Sequence, residues 1–284
     1  MKRLIINADD LGLTESVNRA IVRGYREGVL TSATLMANGA AYDDAVCIAR
    51  EHPGLGVGLH LNILRGRPVL PPERIRSLVG PNGLFLGSTA ALFRRWAEGR
   101  LDRAEIAQEF GAQLGKALAD GVSVSHLDSE KHLHTIFIEP AIEAAERHGI
   151  RRMRLSAECA AFSPRDLLGK RFYASIFLRW RARRAREMLA ARGVSHPDHF
   201  FGVRCSGEML PRSLERLIAS LPEGTSEIMV HPGRTRAALE ALRDEFGAFD
   251  ISPRGTDEVD ALVSPGVREL IRRDGVALIS YREL

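Results

Sequence analysis

The chain has 284 residues, of which 45% are hydrophobic, with three cysteines and a formal net charge of +4. That length and apolar content support a sizeable core and exclude a small disulfide-stapled scaffold, while Cys47, Cys159 and Cys205 lack the CxxC spacing of a zinc ribbon. So small a net charge argues against nucleic-acid binding through the whole surface; Asp9 and Asp10 interrupt the first apolar run, and no uncharged stretch reaches the roughly 18 residues of a membrane span, so a soluble, unexported, cytoplasmic protein is expected.

In chain order, apolar runs of strand length alternate with stretches of helical period. The strand candidates are Arg3 to Ala8, Ser32 to Met36, Gly56 to Leu61, Val122 to Leu127, Arg152 to Leu155, His199 to Val203, Glu227 to Val230 and Gly275 to Tyr281. This alternation predicts βα units and an α/β fold with seven or eight parallel strands. After the first strand, Thr14 can cap a helix whose Val17, Ala20, Ile21 and Tyr25 share one face and which Gly28 ends; Asn38-Gly39 and Pro53-Gly54 then read as turns. No repeat or linker divides the chain, so residues 1–284 are expected to form one domain.

Two insertions interrupt the pattern. The first, residues 62–88, follows His60 and contains Gly66 to Pro72 and Gly80-Pro81-Asn82-Gly83; it is expected to overlie the strand ends, either shaping a substrate cleft or running over the surface. The second, residues 165–192, carries nine lysines and arginines against Asp166 and Glu187. Its apolar stripe of Phe172, Ile176, Phe177, Trp180 and Met188 predicts an amphipathic helix that either packs on the protein or rests on an anionic membrane.

The chemistry lies where apolar runs end. Leu4-Ile5-Ile6-Asn7-Ala8 runs into Asp9-Asp10, Val57-Gly58-Leu59 into His60, and Ile228-Met229-Val230 into His231. Parallel strands that deliver polar groups at their C-terminal ends build active sites of this kind. Neighbouring strand residues point to opposite faces, so Asp9 and Asp10 are expected to divide their labour, one binding a metal and the other taking a proton. His126, Asp128, Glu130, His132 and His134 recur at even spacing and would share one face of a continued strand, a placement too costly for a purely structural role. Some of the five are expected as metal ligands and others as groups that orient them. His231, before Pro232-Gly233, is expected to protonate a leaving amine.

These motifs resemble the YdjC-like carbohydrate deacetylases, which include chitooligosaccharide deacetylases and the hopanoid-associated HpnK branch. Asn7-Ala8-Asp9-Asp10-Leu11-Gly12-Leu13 is similar to the family's opening motif, Gly58-Leu59-His60-Leu61 and His126-Leu127-Asp128-Ser129 to its middle motifs, His231-Pro232 to its late one and Ser280-Tyr281-Arg282 to its close. Asp198 to Gly202, Ser206 to Met209 and the loop Arg65 to Pro71 resemble the hopanoid-associated branch more closely. The resemblance implies a distorted TIM-like barrel that hydrolyses the acetamide of an amino sugar with one divalent metal, magnesium or zinc. Carried over by position, Asp10 and His60 are ligands and Asp9 is the base. Where the family usually has a third histidine ligand this chain has Glu130, which favours a harder ion; His126 or His132 is the alternative third ligand, with Asp128 and His134 supporting or touching substrate. The substrate implied is a soluble or lipid-linked N-acetylglucosamine glycan. A metal-dependent phosphoesterase and a non-catalytic carbohydrate- or lipid-binding protein are the competing readings.

Overall fold

The computed structural model describes residues 1–158, 170–249 and 258–284. Cys159 and residues 165–169 of the second expected insertion lie outside the described residues.

Seven strands form one curled sheet: β1 (Lys2–Leu11), β2 (Ser32–Leu35), β3 (Gly56–Leu61), β4 (Leu127–Ser129), β5 (His199–Phe201), β6 (Gly224–Val230) and β7 (Ala277–Leu278). Helices α1 (Glu15–Glu27), α2 (Tyr42–Glu51), α3 (Thr89–Ala97), α4 (Arg103–Ala119), α5 (Leu133–Ile136), α6 (Ile138–Arg147), α7 (Lys170–Ala191), α8 (Pro211–Ala219), α9 (Arg236–Ala241), α10 (Arg243–Phe246), α11 (Val259–Leu262) and α12 (Pro265–Arg273) occupy the connections. The expected caps of α1 are present: Thr14 Oγ1 accepts from the Val17 amide, and Gly28 ends the helix.

The strand order is β4-β3-β2-β1-β6-β5, and every pairing is parallel. β7 adds to β1 at Arg3 and Leu4, where β6 already holds the other edge, so β7 shares the edge that β2 takes from Asn7 onward. The expected strand at Arg152 to Leu155 is reduced to isolated bridges. Leu127 pairs with Met153 and Glu158 with Phe200, which brings the two ends of the curl together as a distorted TIM-like barrel. The run from Val122 also enters the ladder late: Ser125 and His126 bond to β3, but the regular strand is confined to Leu127–Ser129.

Alternation along the strands separates two environments. Leu4, Ile6 and Ala8 of β1, Ala33 and Leu35 of β2, and Val57, Leu59 and Leu61 of β3 join the large apolar core beneath the helices. The residues between them, Asn7, Asp9, Thr34, Gly58 and His60, face into the curl and meet partners from other strands. Among these, Gly58 is required by crowding, since a Cβ there would lie 2.5 Å from the His126 ring.

Tyr281 fills the interior away from the site. It has no solvent exposure, its ring stacks on His126 with centroids 3.5 Å apart, and its hydroxyl donates to Glu227 Oε2 at 2.6 Å. Replacing Tyr281 by Phe keeps the ring and removes one bond to a buried carboxylate. The expected loss is about 1.5–3 kcal/mol, read as a lower urea midpoint at unchanged m value; a midpoint equal to that of the wild type would contradict this role.

Candidate active site

Asp9 and Asp10 do not diverge as adjacent strand residues should. The register between β1 and β2 slips between Ala8 and Leu11, and Asp10 adopts φ of 71°, a left-handed conformation that Asp tolerates better than most residues. This bulge turns both carboxylates toward His60, so each contributes to a buried acidic/histidine set with it: Asp10 with His60 and Glu130, Asp9 with His60 and Asp128.

In the first set, His60 Nε2 lies 3.5 Å from Asp10 Oδ1 and 3.7 Å from Glu130 Oε2. Each of these three donors has its other atom held from outside. His60 Nδ1 meets Asp128 Oδ1 at 2.8 Å, Glu130 Oε1 accepts from Arg65 Nε at 3.1 Å, and Asp10 Oδ2 pairs with Arg234. Asp10 Oδ1 has no hydrogen-bond donor among the described residues, although Asp10 is fully buried. Burial raises the Asp10 pKa above its ordinary value against the pull of Arg234 and His60. Burial would also raise Glu130, but its bond with His60 and the Arg65 charge hold it well below.

The second set is already satisfied by a guanidinium group. Arg154, fully buried, donates to Asp9 at 2.7 and 2.8 Å, lies 2.8 Å from Asp128 Oδ2 and donates to Glu227 at 2.9 Å. Although burial opposes ionisation, Arg154 holds the Asp9 carboxyl well below the usual range, so Asp9 is ionised at neutral pH. Thr34 Oγ1 completes Asp128 by donating to its Oδ2 at 3.0 Å.

Charge shows what the first set is suited to hold. The side chains joined by these ion pairs are the carboxylates of Asp9, Asp10, Asp128, Glu130 and Glu227 and the guanidinium groups of Arg65, Arg154 and Arg234. Before any ion binds, burial opposes charge on His60, but Asp128 and the hydrogen bonds with Asp128 and Glu130 raise its pKa well above that of an ordinary histidine, so a proton on the ring eases the acidic excess. Once that proton is displaced, two negative charges are unmatched in a buried setting where isolated charge is costly. One divalent cation supplies the balance, and two carboxylate oxygens with one imidazole nitrogen are a competent donor set for it. The residues present therefore fit a single metal ion.

His231, at the end of β6, sits beside this centre. Its Nε2 is 3.9 Å from Asp9 Oδ2 and its Nδ1 is 3.4 Å from Ser206 Oγ. Burial, followed by the charge of Arg234, lowers its pKa well below that of an ordinary histidine. Glu258 accepts from the backbone amides of both Met209 and His231, tying the 206–209 loop to the end of β6. Gly233, with φ of 77°, turns the chain immediately afterwards, where a Cβ would fall 2.4 Å from the Ser16 carbonyl oxygen.

The expected single face of five alternating groups holds only in part. Asp128 and Glu130 reach His60, and His126 lies deeper, against Tyr281. Beyond Ser129 the strand gives way to a tight turn in which Lys131 and His132 have positive φ, and the alternation ends. His132 points instead to Ser156 Oγ at 3.0 Å and to the edge of Phe200. His134 bonds to Ser129 Oγ and the Arg154 carbonyl, and burial together with the Arg154 charge lowers its pKa to about 3. Of the alternatives for a third donor, the geometry groups Glu130, not His126 or His132, with Asp10 and His60.

Arg65, Arg154, Arg234, Glu227 and Glu258 were not singled out from the sequence. Glu227 carried a signal, since it opens the apolar run Ile228-Met229-Val230 within a strand that is buried from Thr225 onward. Arg154 is one of three arginines in Arg151-Arg152-Met153-Arg154, and nothing local marks it as the buried one.

The first insertion meets this centre at its start, through the bond from Arg65 to Glu130. Glu109 of α4, fully buried, accepts from the Val69 and Leu70 amides, and Arg65 ties the start of the loop to the carbonyls of Phe246 and Ala248. The loop thus adjoins the site and is held in place by buried polar contacts, not merely draped over the surface.

Comparison with known proteins agrees with this architecture. A family profile described as YdjC-like protein matches residues 3–273. A carbohydrate deacetylase of Brevibacillus brevis is 30% identical over 99% of this chain and 99% of its own, and one of Homo sapiens is 31% identical over 99% and 91%. A crystal structure from Enterococcus faecalis, described in terms of cellobiose-phosphate cleavage, superposes with a TM-score of 0.78 at 25% identity, covering 99% of this chain and 98% of that one. The chain belongs to the YdjC-like carbohydrate deacetylase family.

Proposed function

We propose that residues 1–284 form one metal-dependent deacetylase domain that hydrolyses the acetamide of an N-acetylated amino sugar. The observation that carries this reading is the convergence of Asp10 Oδ1, His60 Nε2 and Glu130 Oε2 beside an ionised Asp9 and a neutral His231. A divalent ion held by Asp10, His60 and Glu130 would polarise the acetyl carbonyl and lower the pKa of a water molecule. With two carboxylates among three donors, the set suits magnesium as well as zinc.

The remaining steps belong to the chain. Asp9, fixed by two bonds from Arg154, accepts a proton as water attacks the carbonyl carbon. Those bonds keep Asp9 ionised at the expense of basicity, so it favours passing the proton onward. His231 is neutral at rest and its Nε2 faces Asp9, so it takes that proton and delivers it to the sugar nitrogen as the C–N bond breaks. One water is consumed: one of its protons reaches the nitrogen through Asp9 and His231, and the other stays on the acid formed. The products leave as acetate and an ammonium group once that second proton passes to the amine, with both residues back in their starting states. Ser206 holds the far nitrogen of His231 and keeps Nε2 directed at the reacting groups.

A finer form of the reading is an amino sugar carried on a lipid, including a hopanoid, and processed at the cytoplasmic face of the membrane. The Arg65 to Pro71, Asp198 to Gly202 and Ser206 to Met209 segments support it by their resemblance to that branch. A phosphoesterase gains no support, because the second acidic set, where a two-ion phosphoryl site would need its other metal, is filled by Arg154.

Acetate release from N-acetylglucosamine oligosaccharides and lipid-linked N-acetylglucosamine tests the proposal. Asp9→Asn is expected to keep its metal and lose turnover by about 10²–10⁴-fold, and His231→Ala to do the same. Wild-type rates in either variant would overturn the assignment. Calorimetric titration with magnesium, manganese or zinc is expected to give one ion per chain, abolished by Asp10→Asn and weakened by about 10–100-fold in Asp128→Asn, which leaves the three donors in place and alters the outer partner of His60 together with its ion pair to Arg154. Unchanged affinity in Asp10→Asn would remove it from the donor set.

A further inference from the structure

Six large apolar side chains stand well exposed among the described residues, and three of them lie on α7: Tyr173 at 63%, Ile176 at 46% and Trp180 at 61%. The other three, Met1, Leu210 and Leu278, are scattered. At 3.6 residues per turn, positions 173, 176 and 180 fall within a sector of about 60° on the helix. The opposite side carries Leu178, Ala182, Ala185 and Leu189, all buried in the main core. The expected apolar stripe is thus divided: Phe177 and Met188 pack against the core, whereas Ile176 and Trp180 face outward. Alanines allow closer packing than the larger residues, and they form much of the inner face, leaving Ile176 and Trp180 outside.

The helix is anchored by its other sides. Phe177 meets Phe93 of α3 edge to face, Arg181 donates to the Ile136 carbonyl of α5, and Arg184 pairs with Glu139 of α6. Folding therefore does not account for the outward aromatic stripe. Beside it, Arg179, Arg183 and Arg186 are exposed and pair with no carboxylate among the described residues, and Glu187 is the one exposed acid of the helix.

We propose that this face of α7 docks on an anionic lipid surface. Tyr and Trp present apolar rings with polar tips that suit the headgroup boundary, and flanking guanidinium groups meet lipid phosphates. No described helix is long and apolar enough to cross a membrane, so the contact is peripheral. A second copy is a poorer occupant, since a symmetric interface would set these arginines near their own counterparts with little acidic charge to offset them. The helix also neighbours the site, since α7 packs against α5, which follows the Glu130–His132 turn directly. The inference rests on this surface alone and does not depend on the reaction.

Co-sedimentation of the full chain with phosphatidylcholine vesicles, with and without phosphatidylglycerol, tests it. Binding is expected only to the anionic vesicles and is expected to weaken as salt rises. Two variants, Tyr173→Ser/Ile176→Ser/Trp180→Ser and Arg179→Glu/Arg183→Glu/Arg186→Glu, should each lose at least tenfold in partitioning while unfolding at the wild-type temperature, because every altered side chain is exposed. In a Trp96→Phe background, Trp180 emission should shift to the blue on binding. Wild type left in the supernatant, binding unaffected by either variant, or a concentration-dependent dimer abolished by the serine variant would each overturn the proposal, the last by assigning the face to a second copy.

Discussion

The interaction on which the rest of the structure depends is the buried guanidinium of Arg154. It joins Asp9 of β1, Asp128 of β4 and Glu227 of β6 across the interior of the curl, from a segment that itself contributes only isolated bridges. Without a cation at this point, three carboxylates would face one another in a low-dielectric interior, and the strands that carry them would be driven apart. The same contact sets the electrostatics of the site: it holds Asp9 ionised and completes Asp128, whose other oxygen meets His60.

Around that cation the barrel interior is polar where the interior of a common parallel barrel is filled by Val, Ile and Leu layers. Asn7, Thr34, His126, Glu227 and Tyr281 occupy inward positions, while the apolar residues between them face the helices. The arrangement is layered along the barrel axis. Tyr281 and His126 close the deep end by stacking, Arg154 and its carboxylates form the middle, and Asp10, His60, Glu130 and His231 lie at the strand ends. A polar interior is tolerable because its charged groups are paired; among the described residues Asn7 Oδ1 and His126 Nε2 lack a hydrogen-bond partner deeper in the curl, and at the strand-end layer Asp10 Oδ1 points toward the other two donor atoms.

Much of this was legible in the sequence because strand ends announce themselves. Asp9, Asp10, His60, Asp128, Glu130 and His231 each terminate or follow an apolar run, and the structure gathers all six around one point. What was not legible depends on backbone turns or on contacts distant in sequence. The positive φ angles at Asp10, Lys131 and His132 reversed the expected direction of Asp10 and broke the alternation that would have carried His132 and His134 into the site. Arg65 and Arg234 lie on loops, where periodicity has no meaning, yet they reach the two carboxylate donors from different parts of the chain. In α7 the size of the apolar residues misled, since the buried face was written largely in alanine.

The outer partners explain how a glutamate can stand beside Asp10 and His60, where the resemblance in sequence led to the expectation of an imidazole. An unshielded carboxylate in place of a neutral ring would add a full negative charge to a buried centre, raising its cost before any ion arrived. Here Arg65 occupies Oε1 of Glu130, so the pair together is close to neutral and only Oε2 is turned inward. Arg234 treats Asp10 in the same way, and Asp128 does the converse for His60, placing negative charge against its Nδ1 and raising its pKa against the cost of burial. Each donor is thereby fixed in orientation and moderated in charge by the atom it does not offer. The identity of a side chain at such a point is then only half of its specification; the Glu130 carboxylate is tolerable there because Arg65 is beside it, and the two residues are best understood as one unit.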